Sequence, residues 1–186
     1  MIAVLAAFTL ASCMKKEGTT TDSSTNAKAD SMKNAYKAMS AAWDAGKADE
    51  FDKYVSANIV NHEEMPGMKP GLAGINDMIM MIKTAYPDMK STNEDTRVDG
   101  DVLTARFSVT GTNSGPMMGM PATNKKITGV DGMEMLRWEN GKFVERWGIF
   151  NSSKMMMQLG LMPMPGAPPA GDMSKPMDKG MDKKKM

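Results

Sequence analysis

The sequence predicts an α+β domain in which helices precede a run of antiparallel strands, and three observations carry that expectation. Apolar residues recur at three- and four-residue spacing from Met32 to Trp43 and again from Ile75 to Tyr86. After Lys90 the pattern changes to short runs of strand-favouring residues, and the dipeptides Asp99-Gly100 and Asn140-Gly141 supply tight turns within them. Segregated helices and sequential strands make an α+β class.

The first helix is expected from Ser31, as N-cap, through Met32, Ala35, Tyr36, Met39, Ala42 and Trp43, ending at Gly46. Asp49 opens a short helix through Phe51 and Tyr54, and Ala57 to His62 is a brief extended run. Beyond the break at Pro66, Gly67, Pro70 and Gly71, the stripe Ile75, Met78, Ile79, Ile82 and Tyr86 predicts a second helix up to Pro87. Strands follow at Ser91 to Val98, Val102 to Thr112, Ile127 to Glu139 and Lys142 to Phe150. Asn113 to Thr123 is a loop rich in Gly, Pro and Met, and Ser153 to Leu159 a last helical turn.

Both ends read differently. Ile2 to Leu10 is an apolar run too short to cross a bilayer, and it runs into Leu10-Ala11-Ser12-Cys13. Those four residues resemble the lipobox of bacterial lipoproteins, which implies a signal peptide over residues 1–13, a lipidated Cys13, export to the cell envelope, and a protein tethered to a membrane by more than one acyl chain. Residues 14–30, rich in Thr, Ser, Asp and Lys without periodicity, are expected to be a disordered linker. Residues 161–186 form a Met/Pro/Lys-rich tail with no core-forming pattern. One domain remains, over residues 31–160.

Composition removes several functions. With 23 Lys and Arg against 22 Asp and Glu, the net charge of +1 excludes a nucleic-acid binder held by bulk electrostatics. One cysteine cannot form an internal disulfide framework, and one histidine cannot build a multi-histidine metal site. The 24 methionines stand out among the 186 residues. They suit either an adaptable apolar interior or soft-metal capture, and Cu(I) binding by the tail is kept as an alternative function.

The last hairpin sets which side chains share a face. A three-residue loop, Glu139-Asn140-Gly141, would set Leu136 opposite Val144 and Glu134 opposite Arg146, so that Glu134, Leu136, Trp138, Val144, Arg146, Gly148 and Phe150 face one way. A two-residue loop, Asn140-Gly141, would set Glu134 opposite Trp147. The first is preferred, because it sets a carboxylate against a guanidinium on an otherwise apolar face.

In order along the chain, Val60-Asn61-His62, Ala85-Tyr86-Pro87-Asp88, Gly119 to Lys126, Asn140-Gly141-Lys142 with Glu145 and Trp147, and Gln158-Leu159-Gly160 resemble the SnoaL-like polyketide cyclases, or ester cyclases. The resemblance implies a nuclear-transport-factor-2-like cone, with helices packed on a strongly curved antiparallel sheet around one pocket, commonly assembled as dimers or tetramers; a homodimer is expected here. It also implies ring closure by an acidic residue on the last strand, without metal or cofactor. The position matching that acid is Gly148, and Asn151 stands where many relatives carry another aspartate.

Candidate chemistry therefore moves to other residues. Glu134 or His62 is the candidate proton carrier and Arg146 the partner for a developing oxyanion; the simpler alternative for Glu134 and Arg146 is a structural ion pair. Tyr36, Trp43, Tyr54, Trp138, Trp147 and Phe150 are candidate pocket walls, with Asn151 as a polar contact. Met117, Met118 and Met120 lie in a loop suited to cover the pocket mouth. The expected ligand is a small apolar or carbonyl-bearing molecule.

Overall fold

A computed structural model of the chain describes residues 23–63 and 67–163. The Leu10 to Cys13 box, Glu64, and the tail from residue 164 onward lie outside the described residues. None of the described helices is long and apolar enough to cross a membrane.

Helix α1 spans Ser23–Ala45 and buries Met32, Ala35, Tyr36 and Ala42, the stripe that its spacing predicts. It starts eight residues before Ser31, so residues 23–30, expected as linker, form its first turns. Ser31 is not its cap: the hydroxyl lies within the helix and donates to the Ala27 carbonyl at 2.9 Å. The helix stops at Gly46, whose φ of 70° is left-handed. A 3-10 turn, Ala48–Lys53, buries Phe51 and leads into strand β1, Val55–Asn61. Helix α2, Gly71–Ala85, turns Leu72, Ile75 and Ile79 inward.

Four strands follow: β2 (Lys90–Asp99), β3 (Val102–Thr112), β4 (Lys126–Glu139) and β5 (Lys142–Phe150), then helix α3 (Ser152–Leu159). They form one sheet in the order β1-β5-β4-β3-β2. Neighbours from β2 to β5 are antiparallel, as expected, but β1 joins the edge parallel to β5, so the sheet is mixed. The reason is chain path: α2 and three strands lie between β1 and β5, enough chain to return in the same direction. Every pairing contains a register shift. Such shifts bend and twist strands, which is how a sheet of this size curls around a hollow.

Three buried clusters pack on the concave side. One joins α1 to the middle of the sheet through Tyr36, Leu103, Leu136 and Phe143. A second joins Phe51, Val55 and Ile59 to Leu72, Ile75 and Ile79 of α2. The third gathers Tyr86, Met89, Val109, Ile127 and Leu159 near the ends of α2 and α3. Where the three meet, side chains from all of them leave a cavity of about 380 Å³.

Candidate functional site

The cavity's polar end is made by the last hairpin, through a register that loop length alone does not predict. Asn140 and Gly141 have φ of 50° and 83°, and Glu139 pairs directly with Lys142, so the loop has two residues and not the preferred three. Trp138 then faces Phe143. A shift between Arg137 and Trp138 next leaves Val144 as an extra residue on β5, and pairing resumes with Leu136 opposite Arg146 and Glu134 opposite Gly148. Two one-residue slips cancel in parity. The even-numbered residues Glu134, Leu136, Arg146 and Gly148 therefore share the concave face as expected, although Glu134 and Arg146 are diagonal and not directly opposed.

Around this pair runs a chain of hydrogen bonds. Arg146 Nε donates to Glu134 Oε2 at 2.8 Å, and Arg146 Nη1 donates to Asn61 Oδ1 at 3.1 Å. Tyr36 Oη donates to Glu134 Oε1 at 2.8 Å. Four elements contribute: α1 supplies Tyr36, β1 Asn61, β4 Glu134 and β5 Arg146. Burial, then the negative charge of Glu134 and the hydrogen bond to it, holds the Tyr36 phenol far above its usual range. Tyr36 is accordingly a proton donor in this network. The pair is largely shielded, with side-chain exposures of 15% for Glu134 and 22% for Arg146.

The remaining walls are mainly apolar, with Ser40, Glu63, Ser91, Asn93 and Ser152 as polar residues among them. Trp43, Phe51, Phe107 and Phe150 supply aromatic surface, and seven methionines, Met39, Met78, Met81, Met89, Met117, Met118 and Met155, line the cavity. Thioethers on rotatable stems let such a wall adapt to different shapes. Met118 lies at the tip of a tight turn closed by reciprocal Met117–Met120 backbone hydrogen bonds and is 61% exposed. That turn is held at its base by the buried Asn113 side chain, which donates to the Gly115 carbonyl at 2.9 Å and accepts from the Thr123 amide at 2.8 Å.

Several expected site residues are elsewhere. Strand alternation turns His62 and Trp147 to the opposite face of the sheet, where their rings stack at 4.7 Å and 5°. There His62 Nε2 is 2.9 Å from Glu145 Oε1, and Arg137 Nε donates to Glu145 Oε2 at 2.7 Å. The Arg137 hydrogen bond, and then that of His62, holds the Glu145 carboxyl below its usual range. His62 therefore does not join Glu134 in one site. Trp138 packs edge-on against Phe143, and Tyr54 packs against the core clusters, so neither lines the cavity. Met120 is likewise off the wall. Asn151 is structural: its Oδ1 accepts from the Lys154 amide and caps α3, while its Nδ2 donates to Asp131.

Asn61 is the polar contact that sequence reasoning missed. The signal was present in Val60-Asn61-His62, since alternation in a strand sends the first and last of these one way and Asn61 the other. Most of the lining methionines were likewise legible only as helix stripe or loop. Among the described residues no group of three His, Cys, Asp or Glu side chains is placed to hold a metal.

The family model for SnoaL-like polyketide cyclases matches residues 33–159. No protein of curated function matches the sequence. Among solved structures, TsrD from Streptomyces laurentii is similar with a TM-score of 0.66 at 23% identity, over 72% of this chain and 97% of its own. A candidate polyketide cyclase from Bacillus cereus is 29% identical with a TM-score of 0.62, over 71% of this chain and 82% of its own. AclR from Streptomyces galilaeus, described as a candidate hydroxylase, is 25% identical with a TM-score of 0.63, over 73% and 84%.

Proposed function

Since the chain belongs to the SnoaL-like polyketide cyclase family, we propose that its cavity binds a small, mainly apolar, carbonyl-bearing molecule and acts on it by general acid/base chemistry at Glu134. The observation that carries this reading is a methionine- and aromatic-lined hollow with a Tyr36–Glu134–Arg146 network at one end. Small-molecule sites generally have this form, a greasy enclosure with a few convergent polar groups. In the reaction, Glu134 takes a proton from a carbon between carbonyls and the C–H electron pair moves onto a carbonyl oxygen beside Arg146; the enolate carbon then attacks a second carbonyl of the same molecule, forming the C–C bond as that carbonyl's π pair moves to its oxygen, and Glu134 returns the proton to the alkoxide so formed. Tyr36 and Arg146 hold the carboxylate in place through both oxygens.

A second reading, that the pocket binds without turnover, is favoured by a specific feature. Both Glu134 oxygens are already engaged, and Gly148 stands where the family resemblance places the acid. One experiment separates the two. Exchange of the activated methylene of an aromatic β-keto ester in D₂O, followed by proton NMR, is accelerated over the uncatalysed rate under the first reading, and the acceleration is lost in Glu134→Gln. Thermal stabilisation by the same ester without accelerated exchange selects the second. Neither effect overturns both.

Two further proposals concern the setting. The Ile2 to Leu10 run and the Leu10-Ala11-Ser12-Cys13 box support export and lipidation at Cys13, with the protein tethered to a membrane of the bacterial envelope. Incorporation of an alkyne-labelled fatty acid, abolished by Cys13→Ser, is the expected result, and an unlabelled protein refutes it. Val60, Met133, Met135 and Ile149 are exposed on the outer face of the sheet and support a homodimer. Light scattering should give twice the monomer mass, falling to the monomer in Met135→Lys.

A further inference from the structure

The Arg146 guanidinium lies across the backbone of Gly148, in space that any side chain would contest. A Cβ built on Gly148 would stand 2.7 Å from Nη2, 3.0 Å from Cζ and 3.2 Å from Nη1 of Arg146. The guanidinium is held there from two sides, by Glu134 of β4 through Nε and by Asn61 of β1 through Nη1. Its planar fork cannot satisfy both partners from another position. Nη2 remains: among the described residues nothing accepts a hydrogen bond from it, and Arg146, Glu134 and Gly148 all border the cavity.

We propose that Gly148 is a positioning residue whose missing side chain seats Arg146 with Nη2 toward the cavity, so that the site selects ligands by a neutral carbonyl oxygen at that point. The inference rests on the cavity being a small-molecule site, as argued above, and adds the chemical class of the anchoring group. A partly buried N–H without an acceptor favours a ligand that supplies one. The acceptor is neutral because Glu134 already compensates the Arg146 charge at 2.8 Å, so a carboxylate would bring a second negative charge to a balanced pair. A ketone or ester oxygen accepts the hydrogen bond without that cost.

Three probes of one shape test this: 2-acetylnaphthalene, 2-ethylnaphthalene and 2-naphthoate, with binding read from quenching of tryptophan fluorescence, since Trp43 borders the cavity. The full-length protein is expected to bind the ketone at least tenfold more tightly than the ethyl compound, and the naphthoate no more tightly than the ethyl compound. In Gly148→Ala the atoms displaced are the far end of the Arg146 side chain and not backbone, so the strand pairing is kept while the seat of the guanidinium is lost. The ketone preference should then fall below threefold while affinity for 2-ethylnaphthalene changes less than twofold. Equal affinity for ketone and ethyl probes in the unsubstituted protein, preferred binding of naphthoate, or a ketone preference that survives Gly148→Ala overturns the proposal. Were Gly148→Ala not to fold, Arg146→Lys decides, since a lysine keeps the charge but not the fork, and an unchanged preference there refutes the seat. Failure of all three probes to bind refutes the small-molecule reading itself and this inference with it.

Discussion

Replacing Tyr36 by Phe removes one oxygen from the interior and tests whether the cavity's polar end is a coupled network. Tyr36 is 3% exposed and its hydroxyl donates to Glu134 Oε1 at 2.8 Å. A hydrogen bond to a charged acceptor contributes about 1.5–3 kcal/mol net. The lower end applies, because Glu134 keeps its Arg146 bond and its freed oxygen faces a cavity that water can enter. We expect Tyr36→Phe to cost about 1.5 kcal/mol. For a domain of about 130 residues the unfolding entropy is near 0.3 kcal/mol per kelvin, so Tm should fall by about 5 °C. In the Glu134→Gln background the charge is gone, and the amide can turn its oxygen to Arg146. The same Tyr36→Phe change should then cost only about 0.5 kcal/mol, leaving a coupling of about 1 kcal/mol. Urea unfolding of the four proteins measures it. Additivity within about 0.3 kcal/mol would show that the two groups do not interact as described.

Other expectations follow from the same geometry. The Tyr36 phenol is raised in the folded state above its ordinary value of 10.0, so above that pH the unfolded chain binds fewer protons than the folded one. Its stabilising contribution is complete below pH 10 and is lost as pH rises further, by up to about 1.4 kcal/mol per pH unit. Denaturation titrated from pH 9 to 11 should show a shallower slope in Tyr36→Phe, with the remainder due in part to Tyr86, whose burial raises its phenol as well. At the acid end, Glu145 is held below its ordinary 4.5 by Arg137 and His62, so its contribution is present above that pH and lost as the pH falls through the lowered value. Glu145→Gln should flatten the acid limb of stability below pH 4.5; an unchanged limb would place that dependence elsewhere. Asn113→Ala leaves the carbonyl of Gly115 and the amide of Thr123 without their partner and should cost about 3 kcal/mol, with faster proteolysis between Pro116 and Pro121 than elsewhere in the domain. A Cβ at Gly74 would collide with the Lys69 carbonyl oxygen, a backbone atom that cannot move aside, so Gly74→Ala should abolish the folded state or cost more than about 3 kcal/mol by circular dichroism.

Much of the fold was legible because its signals are local. The 3.6-residue stripes of α1 and α2 and the turn chemistry of Asp99-Gly100 and Asn140-Gly141 depend only on near neighbours. Strands β3 and β5 begin and end where their sequence patterns do. The start of α1 was not legible, since Ser31 has the chemistry of a cap wherever it sits and only the surrounding backbone decides whether its hydroxyl faces out or back. Nor was the parallel seat of β1 beside β5, a pairing between segments more than eighty residues apart.

The candidate site divides along the same line. Residue order alone determined that Arg146 and Gly148 share one face of β5 while Trp147 takes the other, because side chains in a strand alternate whatever the partner does. Tertiary structure decided that a bulge at Val144 would undo the slip made at the turn and bring Glu134 to that face, that Tyr36 and Asn61 would close on the ion pair from α1 and β1, and that the methionines of three helices and two loops would face one hollow. The physical reason is range: alternation is set by bonds along one strand, whereas closure of a pocket is set by bends accumulated across the sheet and by packing among elements distant in the chain.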